Sequence, residues 1–471
     1  MAQTFFFYDL ETSGLNPRQD RIMQFAGQRT DMNLEPIGEP YNLLVTLNDD
    51  TLPSPDALMV TGITPQKTVE EGYTEAQFAR MLSEEIFTPD TIAVGFNNIR
   101  FDDEFIRHLL WRNFNDPYEW SWKDGRSRWD LLDVVRLTRA LRPEGIKWPL
   151  DDKGEPSNRL ELITSANGIA HENAHDALAD VTALIAVTKL IKQKQPQLYD
   201  YLLKMRDKKV VQQLVNVDDK KPFVYASGRY DKEFAKTTVA FPLTTSRNGG
   251  VVVYDLRYDP TPFVGLDTNE LAAKIFASWE ERQAEDFVKL PVKELQYNRC
   301  PAVAPLGVLE QGDGWQKISL DLKTVQKHQN ILLNHPDFAE KLRTIFENKP
   351  AFKKLPDPEA QLYDGFLNDR DRIRVEAVRN ADERELADFH PEFQDERLAP
   401  LLLHYKARNF PRSLSEDDLA QWEAWRAQHL QAQLPQFMAS LQRLASTATD
   451  EQQFILQELQ LWAESTLPAS D

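Results

Sequence analysis

Asp9 and Glu11 stand two positions apart at the end of an apolar run, FFFYDLETSG, residues 5–14. In a strand alternate side chains share a face, so both carboxylates point the same way. Two like charges so placed repel one another and are poorly solvated. Taken alone, such a pair also fits a solvated strand end; further acidic residues raise the chemical reading. In AHDALADV, Asp180 follows His175 by five residues. Five helical steps leave two residues about 140° apart, so His175 is expected at or before the helix start. Asp180 lies beside Val181 and Leu184, where an unpaired carboxylate is costly to bury. In GFNNIRFDDEF, Asp102 and Asp103 open a helix that follows a short strand. Acids in a first helical turn complement the helix dipole, which accounts for one of the two.

Asp9, Glu11, Asp102 and Asp180 thus come from three elements, with one histidine near the last. Magnesium uses few protein carboxylates and keeps positions open for water and phosphate oxygens. Two such ions about 3.5–4 Å apart stabilise both the attacking and the leaving oxygen of a phosphodiester. A cation would relieve the repulsion between Asp9 and Glu11. His175, with an ordinary pKa of about 6.5, suits a general base for the attacking water. A helix-flanking surface histidine is the plainer alternative.

The elements that must position these groups are legible in outline. Residues 4–9, 21–30 and 40–47 read as strands separated by Gly, Asn and Pro turns. Ser54 is an expected N-cap before Pro55, and Thr74 with Gln77 forms a capping box opening an amphipathic helix. A buried strand over 91–97 precedes helices from Phe101, over 130–141 and over 158–167, the last with Asn158 as N-cap and Gly168 as C-cap. A helix over 175–193 closes an α/β domain near residue 195. Residues 222–306 are β-rich, with a hairpin expected around Asn248-Gly249-Gly250. From about 350 the pattern is helical again.

At 471 residues two or three domains are expected. The composition, 41% hydrophobic and 27% charged, reads as globular. Cys300 is the sole cysteine, which excludes an intrachain disulfide and points to a reducing, cytoplasmic setting. The N-terminus lacks the basic region of a signal peptide, and no apolar run approaches the roughly 20 residues that span a bilayer. The formal charge of −19 counts against nucleic acid as a partner, although a local basic groove remains compatible with it.

Residues 107–136 are where such a groove is expected. Arg107, Arg112, Arg126, Arg128 and Arg136 interleave there with Trp111, Phe114, Tyr118, Trp120, Trp122 and Trp129. Aromatic faces stack unpaired bases at about 1–3 kcal/mol each while arginines follow the backbone. The alternative is that the tryptophans plug a long loop against the core.

DLET, NNIRFDDE and HDALAD, in that order, resemble the three motifs of the DEDDh 3′–5′ exonucleases. Longer segments, among them LPSPDALMVTGITPQ, RNFNDPYEWSWKDGRSRWDLLDVVR, ALRPEGIKWP and KARNFP, extend the likeness over nearly the whole chain to the bacterial exonuclease I family. The resemblance implies a ribonuclease-H-like nuclease domain (1–195), a small β-barrel domain (196–350) and a helical C-terminal domain (351–471). It implies removal of 5′-mononucleotides from the 3′ end of single-stranded DNA, in repair and recombination. Two Mg2+ ions, replaceable by Mn2+, would sit on Asp9, Glu11, Asp102 and Asp180, with His175 as general base. Asp103 drops out, because the motif places the ligand directly after Phe101. Arg107, Tyr118, Trp122, Arg136 and Arg159 match substrate contacts, with Glu11 beside them; Lys208, Arg299, Tyr363 and Phe366 are weaker candidates, each equally readable as a solvated charge or a core aromatic. The family also implies a partner, the acidic C-terminal tail of single-stranded-DNA-binding protein, and a monomer is expected. A non-catalytic scaffold would be signalled by loss of one carboxylate, and all four are present.

Overall fold

The opening apolar run forms strand β1 (Thr4–Thr12), longer than the run of aromatics indicates. It pairs antiparallel with β2 (Ile22–Thr30), with Asp9 opposite Ala26 and Glu11 opposite Gln24, and the register slips only between Glu11 and Thr12. Both carboxylates therefore lie inside the ladder. β2 pairs antiparallel with β3 (Tyr41–Leu44), and β1 pairs parallel with β4 (Thr91–Gly95).

The computed structural model describes residues 2–171, 176–349 and 354–467, which fall into two compact units. One gathers residues within 1–127, 171–185 and 353–471, and the other those within 128–170 and 186–352.

In the first unit the strand order is β3-β2-β1-β4. Phe6, Tyr8 and Leu10 enter a core with Phe25, Phe78, Phe87 and Phe105. Strand alternation then puts Asp9 and Glu11 on the opposite face, in line with Phe5 and Phe7, which are fully buried. Burying each such ring contributes about 1.5–3 kcal/mol, and it is this anchorage that holds two carboxylates on one rigid face. The expected capping box at Thr74 and Gln77 is present, and Pro55 follows Ser54 at a helix start. Helix Asp102–Arg112 follows β4 through a short 3₁₀ turn at Asn98–Arg100. The C-terminal helices Leu398–Asn409, Glu416–Ala445 and Asp450–Thr466 belong to this unit too. Leu430, Leu459 and Trp462 share a core with Met23, Leu47 and Leu58.

The second unit carries β6 (Phe223–Ala226), β7 (Thr237–Thr245), β8 (Val251–Asp255), β9 (Val292–Leu295) and β10 (Ala302–Pro305), numbered after a short β5 (Ser127–Asp130). They make an antiparallel sheet in the order β10-β6-β7-β8-β9. This is the expected small β domain, although among the described residues the order is open, with no pairing between β9 and β10. The β7–β8 turn falls at the predicted place, with Gly249 at φ +72°. Helix Leu160–Ala166 starts later than expected: its N-cap is Arg159, not Asn158. The Asn158 side chain is drawn instead to Arg139, whose Nη1 donates to its Oδ1 at 3.2 Å. Among the described residues no helix is long and apolar enough to cross a membrane.

Candidate active site

Asp9 and Glu11 come from β1, Asp180 from helix Ala177–Lys194, and Asp102 from the first turn of helix Asp102–Arg112. One carboxylate oxygen each from Asp9, Glu11 and Asp180 lie within 4.8 Å of one another. Asp102 is outside that closest group, yet its charge acts on it. The Asp9 carboxyl is held well above the usual range, first by burial, then by Asp102, Glu11 and Asp180. Glu11 is pushed from 4.5 up to about 8 by burial, then by Asp180, Asp102 and Asp176. Carboxylates gathered this closely in a half-dry site cannot all stay ionised unless a positive charge joins them. All-oxygen donors of this kind suit a hard divalent cation.

A second acidic group shows the contrast. Asp357, Glu359 and His404 also bring ligand atoms within 4.8 Å of one another. Burial would raise the Glu359 carboxyl, but Arg408, Arg21 and a hydrogen bond from His404 hold it well below its usual range. That cluster already has its cations in Arg408 and Arg21, whereas Asp9 and Glu11 are set mainly against burial and neighbouring acids.

Asp103 is turned away from the cluster. It is fully buried, and its Oδ1 accepts from the Tyr8 hydroxyl and, at 3.2 Å, from Asn98 Nδ2. His175 lies outside the described residues. Sequence reasoning missed another histidine: His171 Nε2 stands 2.6 Å from Asp180 Oδ1, with its side chain 4% exposed. It lies nine positions before Asp180 in GIAHENAHDALAD, and neither its spacing nor its neighbours mark it.

The aromatic segment divides between both readings. Trp111, Phe114, Trp120 and Trp129 are buried and serve packing, while Trp122 is 64% exposed. Arg112 is locked in a buried pair with Glu75, so it serves the interior. Tyr118 lies 6.4 Å from the Tyr363 ring and 6.1 Å from Phe366, and Phe366 is 82% exposed. Arg107 is 5.6 Å from the Tyr118 ring centroid and donates to Glu104 at 3.0 Å and to the Tyr363 hydroxyl at 3.3 Å. Tyr118, Tyr363 and Phe366 thus form an aromatic shelf with a guanidinium beside it. Arg136, Arg159 and Lys208 belong to the second unit. Arg136 pairs with Asp133 at 2.6 Å, Arg159 pairs with Glu161 at 2.5 Å and is 66% exposed, and Lys208 is exposed at the start of helix Lys208–Leu214.

Three family models match the chain: "Exonuclease" over residues 6–188, "Exonuclease I SH3-like domain" over 206–348 and "Exonuclease I C-terminal domain" over 356–466. Exodeoxyribonuclease I of Haemophilus influenzae is 40% identical over 450 residues, covering 95% of each chain. The chain belongs to the exonuclease I family. Exodeoxyribonuclease I of Escherichia coli is 39% identical over 465 residues, 98% of this chain and 97% of that one. The solved structure of E. coli exonuclease I with a dA16 oligonucleotide matches with a TM-score of 0.94 at 38% identity, covering 99% of this chain and 100% of that one. As an exonuclease I family member the protein is a nuclease, and the β1 carboxylates, Asp102 and Asp180 fall within the segment that the exonuclease model spans.

Proposed function

We propose that the protein is a magnesium-dependent exonuclease that degrades single-stranded DNA from its 3′ end to 5′-mononucleotides. The observation that carries this reading is the convergence of Asp9, Glu11 and Asp180, with Asp102 alongside, in a cluster whose charges demand a cation. Asp9, Glu11, Asp102 and Asp180 would hold two Mg2+ ions, with Mn2+ able to substitute. When bound, such ions stabilise the attacking and leaving oxygens of a phosphodiester and lower the pKa of bound water. His175 takes the proton of the attacking water as its oxygen bonds to phosphorus. The bond to the 3′ oxygen breaks, that oxygen takes up a proton from solvent, and a 5′-phosphate nucleotide departs.

Substrate holding falls to other groups. The shelf of Tyr118, Tyr363 and Phe366, with Trp122, stacks unpaired bases without sequence preference. Arg107, Arg136, Arg159 and Lys208 follow the phosphates, which is how a chain of charge −19 binds a polyanion. Solved E. coli exonuclease I complexes with dA16 and dT13 oligonucleotides support single-stranded DNA as substrate. A solved structure of SSB/exonuclease I with an inhibitor supports single-stranded-DNA-binding protein as partner, and its acidic tail is the segment proposed to dock. The division into 1–195, 196–350 and 351–471, a monomeric state and a cytoplasmic role in DNA repair and recombination complete the reading; the three family-model ranges support the division.

The test uses single-stranded DNA labelled at its 5′ end, with Mg2+ present or chelated, beside duplex and RNA substrates and an Asp9→Ala variant. Progressive shortening that retains the 5′ label, only with metal and only in the wild type, is expected. Intact but bound DNA would leave a scaffold, and loss of RNA alone would overturn the substrate.

A further inference from the structure

We propose that His171 is a positioning residue for Asp180, fixing how that carboxylate meets a divalent cation. The inference rests on the reading of Asp9, Glu11 and Asp180 as cation ligands. Nε2–H donates to Asp180 Oδ1 at 2.6 Å. The His171 side chain is 4% exposed and that of Asp180 18%, so water competes little for the contact.

The backbone around Asp180 is fixed without His171. Asp176 caps helix Ala177–Lys194, its Oδ1 accepting from Leu178 N–H at 3.0 Å and Ala179 N–H at 3.2 Å, and Asp180 N–H reaches Asp176 O at 3.0 Å. What remains unset is the Asp180 side chain, which faces two carboxylates that repel it. Swinging out toward solvent would relieve that repulsion and spoil the ligand set. The imidazole opposes the swing by engaging one oxygen, Oδ1, and so holds the carboxylate beside Asp9 and Glu11. Partners that orient a metal ligand in this way typically account for about 10–100-fold in metal affinity.

The test titrates the full-length protein with Mn2+ alone, without DNA, by calorimetry, using wild type, His171→Ala, His171→Gln and Asp180→Asn. His171→Ala should weaken Mn2+ binding about 10–100-fold. His171→Gln, which retains an N–H donor, should restore most of it. In turnover assays the His171→Ala defect should close as Mg2+ is raised, with KM for DNA unchanged. Unchanged Mn2+ affinity in His171→Ala, or equal weakening in Ala and Gln, would overturn the proposal. So would a turnover loss that persists at saturating Mg2+ with normal Mn2+ affinity, since His171 would then be moving a proton. Should the alanine variant fail to fold, His171→Asn takes its place, its amide reaching less far; equal affinity in Asn and Gln overturns the proposal. If the wild type binds no Mn2+, or Asp180→Asn binds as tightly, the cation reading itself fails and this inference with it.

Discussion

Arg408 Nη1 lies 2.6 Å from Glu359 Oε1, with the side chains 2% and 1% exposed. The pair is one edge of a dry network: Arg408 also meets Asp50 at 2.7 Å, Arg21 meets Glu359 at 2.9 Å, and His404 donates to Glu359 at 2.8 Å. Two arginines thus balance two carboxylates, and burial is tolerated because each charge has a partner. The network joins the N-terminal sheet region to the C-terminal helices within the first unit. Replacing Glu359 by Gln leaves Arg21 and Arg408 sharing one carboxylate in a site buried from solvent. We expect Glu359→Gln to destabilise the protein by about 3–5 kcal/mol. Urea unfolding monitored by tryptophan fluorescence checks this, and a loss below about 1 kcal/mol, the scale of exposed pairs, would contradict the accounting.

Glu11 sets a pH dependence of opposite sign to an ordinary surface acid. Its folded-state value of about 8 stands above the unfolded value near 4.5, so its contribution is fully present below the unfolded pKa and is lost as pH rises through 8. Asp9, also raised, acts in the same direction. The metal-free protein should therefore lose stability from this cluster between pH 5 and pH 8. A cation replaces the missing protons, so added Mg2+ should raise Tm more at pH 8 than at pH 6. Thermal melts in EDTA and in Mg2+ at both values measure it; an equal or smaller increment at pH 8 would contradict the assigned cluster.

Strand alternation and motif order made the β1 carboxylates, Asp102 and Asp180 legible, because local periodicity decides which side chains share a face. The Gly249 turn and the Thr74 capping box were legible for the same local reason. The Arg21–Glu359 contact joins positions 338 apart, and no local pattern in charge anticipates such a pairing. Nor does composition separate Trp122, which is exposed, from Trp111 and Trp129, which are buried; only tertiary packing does. Arg159 displaced Asn158 as a cap because Arg139, nineteen positions away, claims the Asn158 side chain. His171 stayed hidden because its role exists only once its contact with Asp180 is formed.

His175 carries a kinetic prediction separable from metal binding. A general base acts on the proton of the attacking water, and its loss leaves ligands and DNA contacts in place. His175→Ala should cut turnover about 10²–10⁴-fold while Mn2+ affinity and DNA binding hold. Single-turnover digestion beside calorimetric Mn2+ titration tells the two apart. A variant that digests at the wild-type rate would remove His175 from the mechanism.

The shelf makes the last prediction, and exposure is what gives it force. Phe366 is 82% exposed and the Tyr118 ring centroid is 6.1 Å from its own, an arrangement that adds little to folding. A ring left in water in this way is accounted for if a base covers it. Phe366→Ala should weaken single-stranded DNA binding by about 1–3 kcal/mol, the scale of one stacked base, while Tm stays within error of the wild type. Because stacking is uncharged, the slope of log K against log salt should match the wild type, whereas Arg107→Ala should flatten it by about 0.7 for one lost phosphate contact. Fluorescence anisotropy with a labelled oligothymidylate in chelator, across a salt series, measures both quantities. Undiminished affinity in Phe366→Ala would place the strand elsewhere, and an unchanged slope in Arg107→Ala would confine that guanidinium to its bonds with Glu104 and Tyr363.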